Sequence, residues 1–204
     1  MRRLLPETDT ALLERAVGYA LCAVRPVTRA VLTAPTPCRR WDLEALLRHT
    51  NDSLTALSEG LGDGRVPLPA GPNDRTEAGS RTDPAEVFRL RATRLLEICA
   101  GGPGGFVEVA DLPLTAAAVV RTGALEIAVH AWDIAQAAGL PRPVPPRLAT
   151  ALLRTARQLV PAPYARPPLF APPVTVPAEA DPSDRLIAFL GRDPRHPVRD
   201  PQHP

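Results

Sequence analysis

The chain has 204 residues and a mass of 21.8 kDa, the size of one ordinary domain. Apolar residues make up 45% and charged residues 23%, which excludes a wholly disordered chain. The formal net charge is +2, every basic residue is an Arg, scattered but for the pairs Arg2-Arg3 and Arg39-Arg40, and aromatics are 4%, which excludes the basic stripe and stacking platform of a nucleic-acid binder.

The opening Met1-Arg2-Arg3-Leu4-Leu5 is interrupted at once by Pro6, Glu7 and Asp9, so it lacks the apolar core of a signal peptide. No later run of about 18 apolar residues predicts a membrane span. A first helix is predicted over 9–33, where Leu12, Leu13, Ala16, Val17, Ala20, Val24, Val27 and Val31 recur at helical spacing. Pro26 should kink or divide it. A second helix opens near Asp42 with Leu43, Leu46, Leu47, Thr50, Leu54 and Leu57 on its apolar face, and Gly60, Gly62 and Gly64 should end it. Residues 61–82 then read as a polar loop.

The third helix has the strongest start signal. Asp83 suits an N-cap, Pro84 the first helical position, and Glu86 falls three residues after the cap. Its apolar face is read through Val87, Leu90, Leu95, Ile98 and Cys99. Gly101-Gly102-Pro103-Gly104-Gly105 stops it, and that run lacks the Lys-Ser/Thr ending of a phosphate loop. Phe106–Val109 alternates as a short strand would. A long fourth helix is predicted from Thr115 to Ala138, with Gly139 as its stop. Shorter helices are predicted near 146–160 and 184–190.

Sixteen of the 26 Pro fall at or after Pro141, so much of the C-terminal part should be loop. The sequence therefore predicts an all-α fold, a four-helix bundle with a Pro-rich C-terminal loop segment and short extra helices. Three widely spaced cysteines exclude a disulfide framework and a Cys-x-x-Cys zinc site. Cys22 and Cys99, with apolar neighbours on helices, are expected in the core. These features together predict a cytoplasmic protein with reduced thiols.

Of the four His, His196 and His203 lie in a polar tail, whereas His49 and His130 lie in predicted amphipathic helices. Glu126 and His130 are four residues apart and share a helix face among Leu125, Ile127, Ala128, Val129, Ala131 and Trp132. An ionised Glu in such surroundings needs a cation or donors. Two readings stand here. One is a divalent metal held by Glu126 and His130 with His49 as third ligand. The other is a buried hydrogen-bonded pair. Asp52 and Asp133 each follow a His by three residues and could orient it as hydrogen-bond acceptors. Each also suits a solvated helix position, the commoner fate of an Asp. There is no Gly-x-Ser-x-Gly elbow, and the absence of Lys removes Schiff-base chemistry.

Three segments together resemble a known family. They are Thr36-Pro37-Cys38-Arg39-Arg40-Trp41-Asp42-Leu43 leading to Leu46-Leu47-Arg48-His49, then Glu126-Ile127-Ala128-Val129-His130-Ala131-Trp132-Asp133, then Asp184-Arg185-Leu186-Ile187-Ala188-Phe189-Leu190-Gly191-Arg192-Asp193-Pro194. In this order the chain resembles the metal-binding domain of the mycothiol-dependent maleylpyruvate isomerases, of the DinB/YfiT-like superfamily. The resemblance implies a DinB-like four-helix bundle and one domain over 1–194, with 195–204 as a disordered tail. It implies a divalent metal, usually zinc, on His49, Glu126 and His130. It further implies a low-molecular-weight thiol, mycothiol, that ionises at the open metal position. The thiolate would add to an electrophilic small molecule and either isomerise its double bond or stay attached.

The isomerase also has a further C-terminal domain that contributes an Arg, and no residue here can be matched to it. Two other functions remain compatible with the sequence. One is a metal-dependent hydrolase or cyclase of a natural-product pathway that uses no thiol. The other is a non-catalytic small-molecule binding or resistance protein. The expected partners are the substrate and the thiol, with no nucleic acid or membrane, in a monomer or homodimer.

Overall fold

Each long helix begins where the sequence supplies a side-chain cap. The computed structural model describes residues 8–38, 41–66, 82–102, 105–160, 166 and 170–195. Within them, Thr8 caps α1 (Asp9–Val24), Asp42 caps α2 (Leu43–Asp63), Asp83 caps α3 (Pro84–Ala100) and Thr115 caps α4 (Ala116–Ala137). The four side-chain oxygens accept from Ala11, Ala45, Ala85 and Ala118 N–H at 3.2, 2.8, 2.9 and 3.2 Å. Each such cap is worth about 1 kcal/mol. Two further helices, α5 (Pro146–Leu159) and α6 (Pro182–Phe189), each start on a Pro, whose missing N–H costs nothing in the first turn. The C-terminal prolines thus start helices as well as forming loop.

Pro26 divides the first predicted helix, and the chain continues as a 3-10 turn over Arg29–Val31. In α2 the stop is Gly64, in the left-handed region at φ 75°. Gly60 and Gly62 lie inside the helix instead. A Cβ at Gly60 would come within 2.9 Å of Val66 and 3.0 Å of Val107, so this glycine admits a small sheet against α2. The buried face of α3 is Ala85, Phe88, Ala92, Leu95 and Cys99, whereas Leu90 is exposed. The alanines disguised this face in the sequence. Cys22, expected in the core, is exposed.

The four long helices form a ring. α4 packs between α1 and α2, and α3 packs between α2 and α1 on the other side. Leu13, Leu46, Leu54, Phe88, Leu95 and Ile127 fill the interior. α5 and α6 pack on each other, and α5 lies against α4 and α1.

A three-stranded sheet is added to this helical fold. β1 (Arg65–Val66) pairs parallel with β2 (Phe106–Val109), which pairs antiparallel with β3 (Leu112–Thr115). Only β2 was predicted. The β2–β3 turn is Ala110-Asp111, both at positive φ (51° and 62°). That backbone normally calls for Asn-Gly, so the hairpin carries no sequence signal. The predicted loop at 61–82 is partly α2 and β1, and its residues 67–81 lie outside the described residues. So do 196–204 of the predicted tail, with His196 and His203. No described helix is long and apolar enough to cross a membrane.

Candidate metal centre

Because α2 and α4 are neighbours, residues 77 positions apart in sequence meet. His49 Nε2 lies 2.9 Å from Glu126 Oε1. One turn further along α4, His130 Nε2 lies 4.0 Å from the same oxygen. The imidazole rings of His49 and His130 are edge-on, with centroids 5.1 Å apart and planes at 88°. One ligand atom from each of His49, Glu126 and His130 lies within 4.8 Å of the other two. The sequence singled out these three residues, and the fold brings them together.

Two imidazole nitrogens and one carboxylate oxygen are a donor set that suits zinc and leaves a coordination position open. The chemistry of these side chains therefore fits a divalent metal. Burial pushes the Glu126 carboxyl up. The hydrogen bond from His49, the charges of His130 and His49, and the Ser53 hydrogen bond outweigh it and hold the group down at about 2. Ser53 Oγ donates to Glu126 Oε1 at 2.9 Å. Glu126 is thus an anion with two donors on the oxygen that faces both imidazoles.

Asp133 and Asp52 part company. Asp133 is fully buried, not solvated, and its Oδ2 lies 3.2 Å from His130 Nδ1. Arg192 holds the same carboxylate side-on, with Nη2 2.8 Å from Oδ2 and Nε 3.3 Å from Oδ1. Burial raises the Asp133 pKa, but the charge of Arg192 and the hydrogen bond from His130 reverse this and leave it lowered. An ionised carboxylate only accepts hydrogen bonds. His130 Nδ1–H therefore donates to Asp133, and Nε2 is the ring nitrogen turned toward Glu126 and His49.

Asp52 does not orient His49. It is exposed and pairs with Arg91 at 3.8 Å. Helical geometry explains the correction. Three residues along a helix turn a side chain about 60° one way, and four turn it about 40° the other way. Asp52 therefore points toward α3, and Ser53 points toward α4 and Glu126.

Sequence reasoning gave no role to Ser53, Trp41 or Arg192. Ser53 was detectable as the residue four beyond His49. Trp41 lies over the histidines, its ring centroid 4.4 Å from His49 and 6.1 Å from His130. Buried Thr36 ties its turn, donating to Trp41 O at 2.8 Å and Cys38 O at 3.0 Å. Arg192 stood in the third segment of the resemblance, but nothing local tied it to Asp133, 59 residues away.

Residues 13–135, more than half of the chain, match the family model described as the mycothiol maleylpyruvate isomerase N-terminal domain. The chain belongs to this family. Its helical architecture is accordingly DinB-like. Two uncharacterised proteins of Mycobacterium tuberculosis, from strains CDC 1551 / Oshkosh and H37Rv, are each 31% identical over 169 residues. The similarity covers 80% of this chain and 86% of each relative. No solved structure matches the chain. The match to the maleylpyruvate isomerase domain includes His49, Glu126, His130 and Asp133 but ends before Arg192.

Proposed function

We propose that this protein is a metal-dependent enzyme that uses a low-molecular-weight thiol, mycothiol, as nucleophile toward an electrophilic small molecule. The observation that carries this reading is the cluster of His49, Glu126 and His130, with ligand atoms within 4.8 Å of one another, in a domain of the mycothiol isomerase family. These three side chains would hold the ion, and zinc best suits two imidazoles and a carboxylate. A divalent metal there would lower the pKa of a coordinated thiol, so that thiolate is available near neutral pH.

The protein's own groups serve that chemistry. Ser53 donates to the Glu126 carboxylate and orients it. Asp133 sets the His130 tautomer. Trp41 packs against the His49 ring at a tilt and lies beside His130. The thiolate adds to a conjugated carbon–carbon double bond, and its electron pair displaces the π electrons toward the activating carbonyl. Rotation about the resulting single bond and expulsion of the thiolate give the geometric isomer and regenerate the thiolate. Protonation of the adduct at carbon instead gives the S-conjugate.

The test is elemental analysis of the wild type and His130→Ala, followed by calorimetric titration of mycothiol into each. The wild type should hold about one metal per chain and bind the thiol, and the variant should do neither. Full metal retention by the variant would overturn the ligand set. Metal without thiol binding in the wild type would overturn the thiol reading in favour of a metal-dependent hydrolase or cyclase.

A further inference from the structure

We infer that Arg192, supplied from beyond the family-matched region, is a positioning residue of the α4 site, fixing Asp133 and through it the His130 tautomer. The inference rests on the metal reading above only for its consequence in metal affinity.

The chain is built to deliver this side chain. α6 ends in a Schellman turn, in which Gly191 N–H donates to Ala188 O at 3.0 Å and Arg192 N–H to Ile187 O at 3.1 Å. Gly191 sits at φ 84°, and a Cβ there would meet Ala171 Cβ at 2.7 Å and Ala171 O at 2.8 Å. Only glycine fits both the backbone conformation and the space. The turn reverses the chain so that Arg192 points back at α4. All three guanidinium nitrogens are engaged, with Nε and Nη2 on the two oxygens of Asp133 and Nη1 donating to Leu190 O at 3.3 Å.

The consequence follows from hydrogen-bond valence. Asp133 Oδ2 accepts from Arg192 Nη2 and lies 3.2 Å from His130 Nδ1. Two fixed guanidinium donors orient the carboxylate plane, so one lone pair faces Nδ1. The Nδ1–H tautomer is then selected and Nε2 is available as a ligand. Without Arg192 the carboxylate loses that orientation, and both tautomers of His130 become accessible. The hydrogen bonds of Arg192 reach the centre through Asp133, and its charge also acts on Glu126.

The test uses full-length protein carrying Arg192→Gln or the milder Arg192→Lys, which keeps the charge but not the parallel pair of donors. Arg166→Gln serves as control. Arg166 donates from Nη1 to Phe189 O at 2.6 Å, so its loss loosens the same C-terminal segment without touching Asp133. Nitrogen-15 chemical shifts of His130 in the metal-free protein report the tautomer, and chelator competition reports zinc affinity.

Arg192→Gln should lower the Nδ1–H fraction and weaken zinc binding roughly tenfold to a hundredfold. Arg192→Lys should fall between it and the wild type, and Arg166→Gln should change neither readout. An unchanged tautomer in both Arg192 variants would overturn the inference, as would an equal shift in Arg166→Gln. A wild type that binds no zinc would instead overturn the metal reading, and the tautomer measurement would still decide the role of Arg192.

Discussion

Gly123 sets the gap between α2 and α4, and replacing it with Ala should open the site from a distance. A Cβ at Gly123 would lie 2.5 Å from Leu57 Cδ2, 2.7 Å from Cδ1 and 3.1 Å from Cγ. Ordinary carbon contacts are about 3.5–4.0 Å, so the overlap is roughly 1 Å. Relief requires Leu57 to leave its rotamer or the two helices to separate. Overpacking of this kind costs about 1–3 kcal/mol. Ala gains back about 1 kcal/mol of helix propensity over Gly, so the net loss is roughly 0–2 kcal/mol.

The functional effect should exceed the stability effect. His49 and Glu126 meet across the same α2–α4 interface at 2.9 Å, and a separation of about 1 Å would carry that contact beyond hydrogen-bond range. Metal ligands tolerate only about 0.2 Å of misplacement, so zinc affinity should fall tenfold or more. Urea unfolding of the metal-free protein and chelator competition measure the two quantities. Leu57→Ala alone should cost about 2–5 kcal/mol. Combined with Gly123→Ala it should cost less than the sum by about 1 kcal/mol, because the new methyl occupies space that the leucine vacates. An additive cycle, with full zinc affinity in Gly123→Ala, would refute the reasoning.

Asp133→Asn strips Arg192 of its carboxylate partner in a site where Asp133 is fully buried. Breaking such a pair costs about 3–5 kcal/mol, or roughly 6–20 °C in melting temperature for a chain of this size. Differential scanning calorimetry checks this, and an unchanged melting temperature would contradict it. Glu126 predicts an acid-labile contribution. Its pKa falls from the usual 4.5 to about 2 in the folded state. The lowered carboxylate therefore stabilises the fold above about pH 4.5, and the contribution drains away as pH falls toward 2. The whole shift corresponds to about 3 kcal/mol. The side chain is 37% exposed, so about half of that should survive solvent screening. Denaturant unfolding of metal-free Glu126→Gln between pH 5 and pH 2 should show a pH dependence shallower than the wild type by that amount, and parallel profiles would count against the assignment (both pH limits roughly bracket the window).

Helix starts were legible because a cap is a local event. Thr8, Asp42, Asp83 and Thr115 each bond a backbone N–H two or three residues away. Glu126 and His130 were legible for the same reason, since four residues on a helix define one face. Asp133 was ambiguous, because spacing places it near His130 but says nothing of burial. The β2–β3 hairpin was missed because Ala110 and Asp111 adopt positive φ without the residues that normally announce it.

The sequence by itself determined the helical class, the approximate starts of the bundle helices with the Asp83 cap of α3 and, with the family resemblance, the trio of His49, Glu126 and His130. Only the tertiary structure decided what surrounds that trio. Ser53 rather than Asp52 reaches Glu126 because α4, not α3, lies on that side of α2. Arg192 reaches Asp133 because α6 and its glycine turn carry it back across 59 residues of chain. Periodicity reports which residues share a face. Which neighbour that face meets depends on helix packing, to which residues remote in sequence contribute jointly.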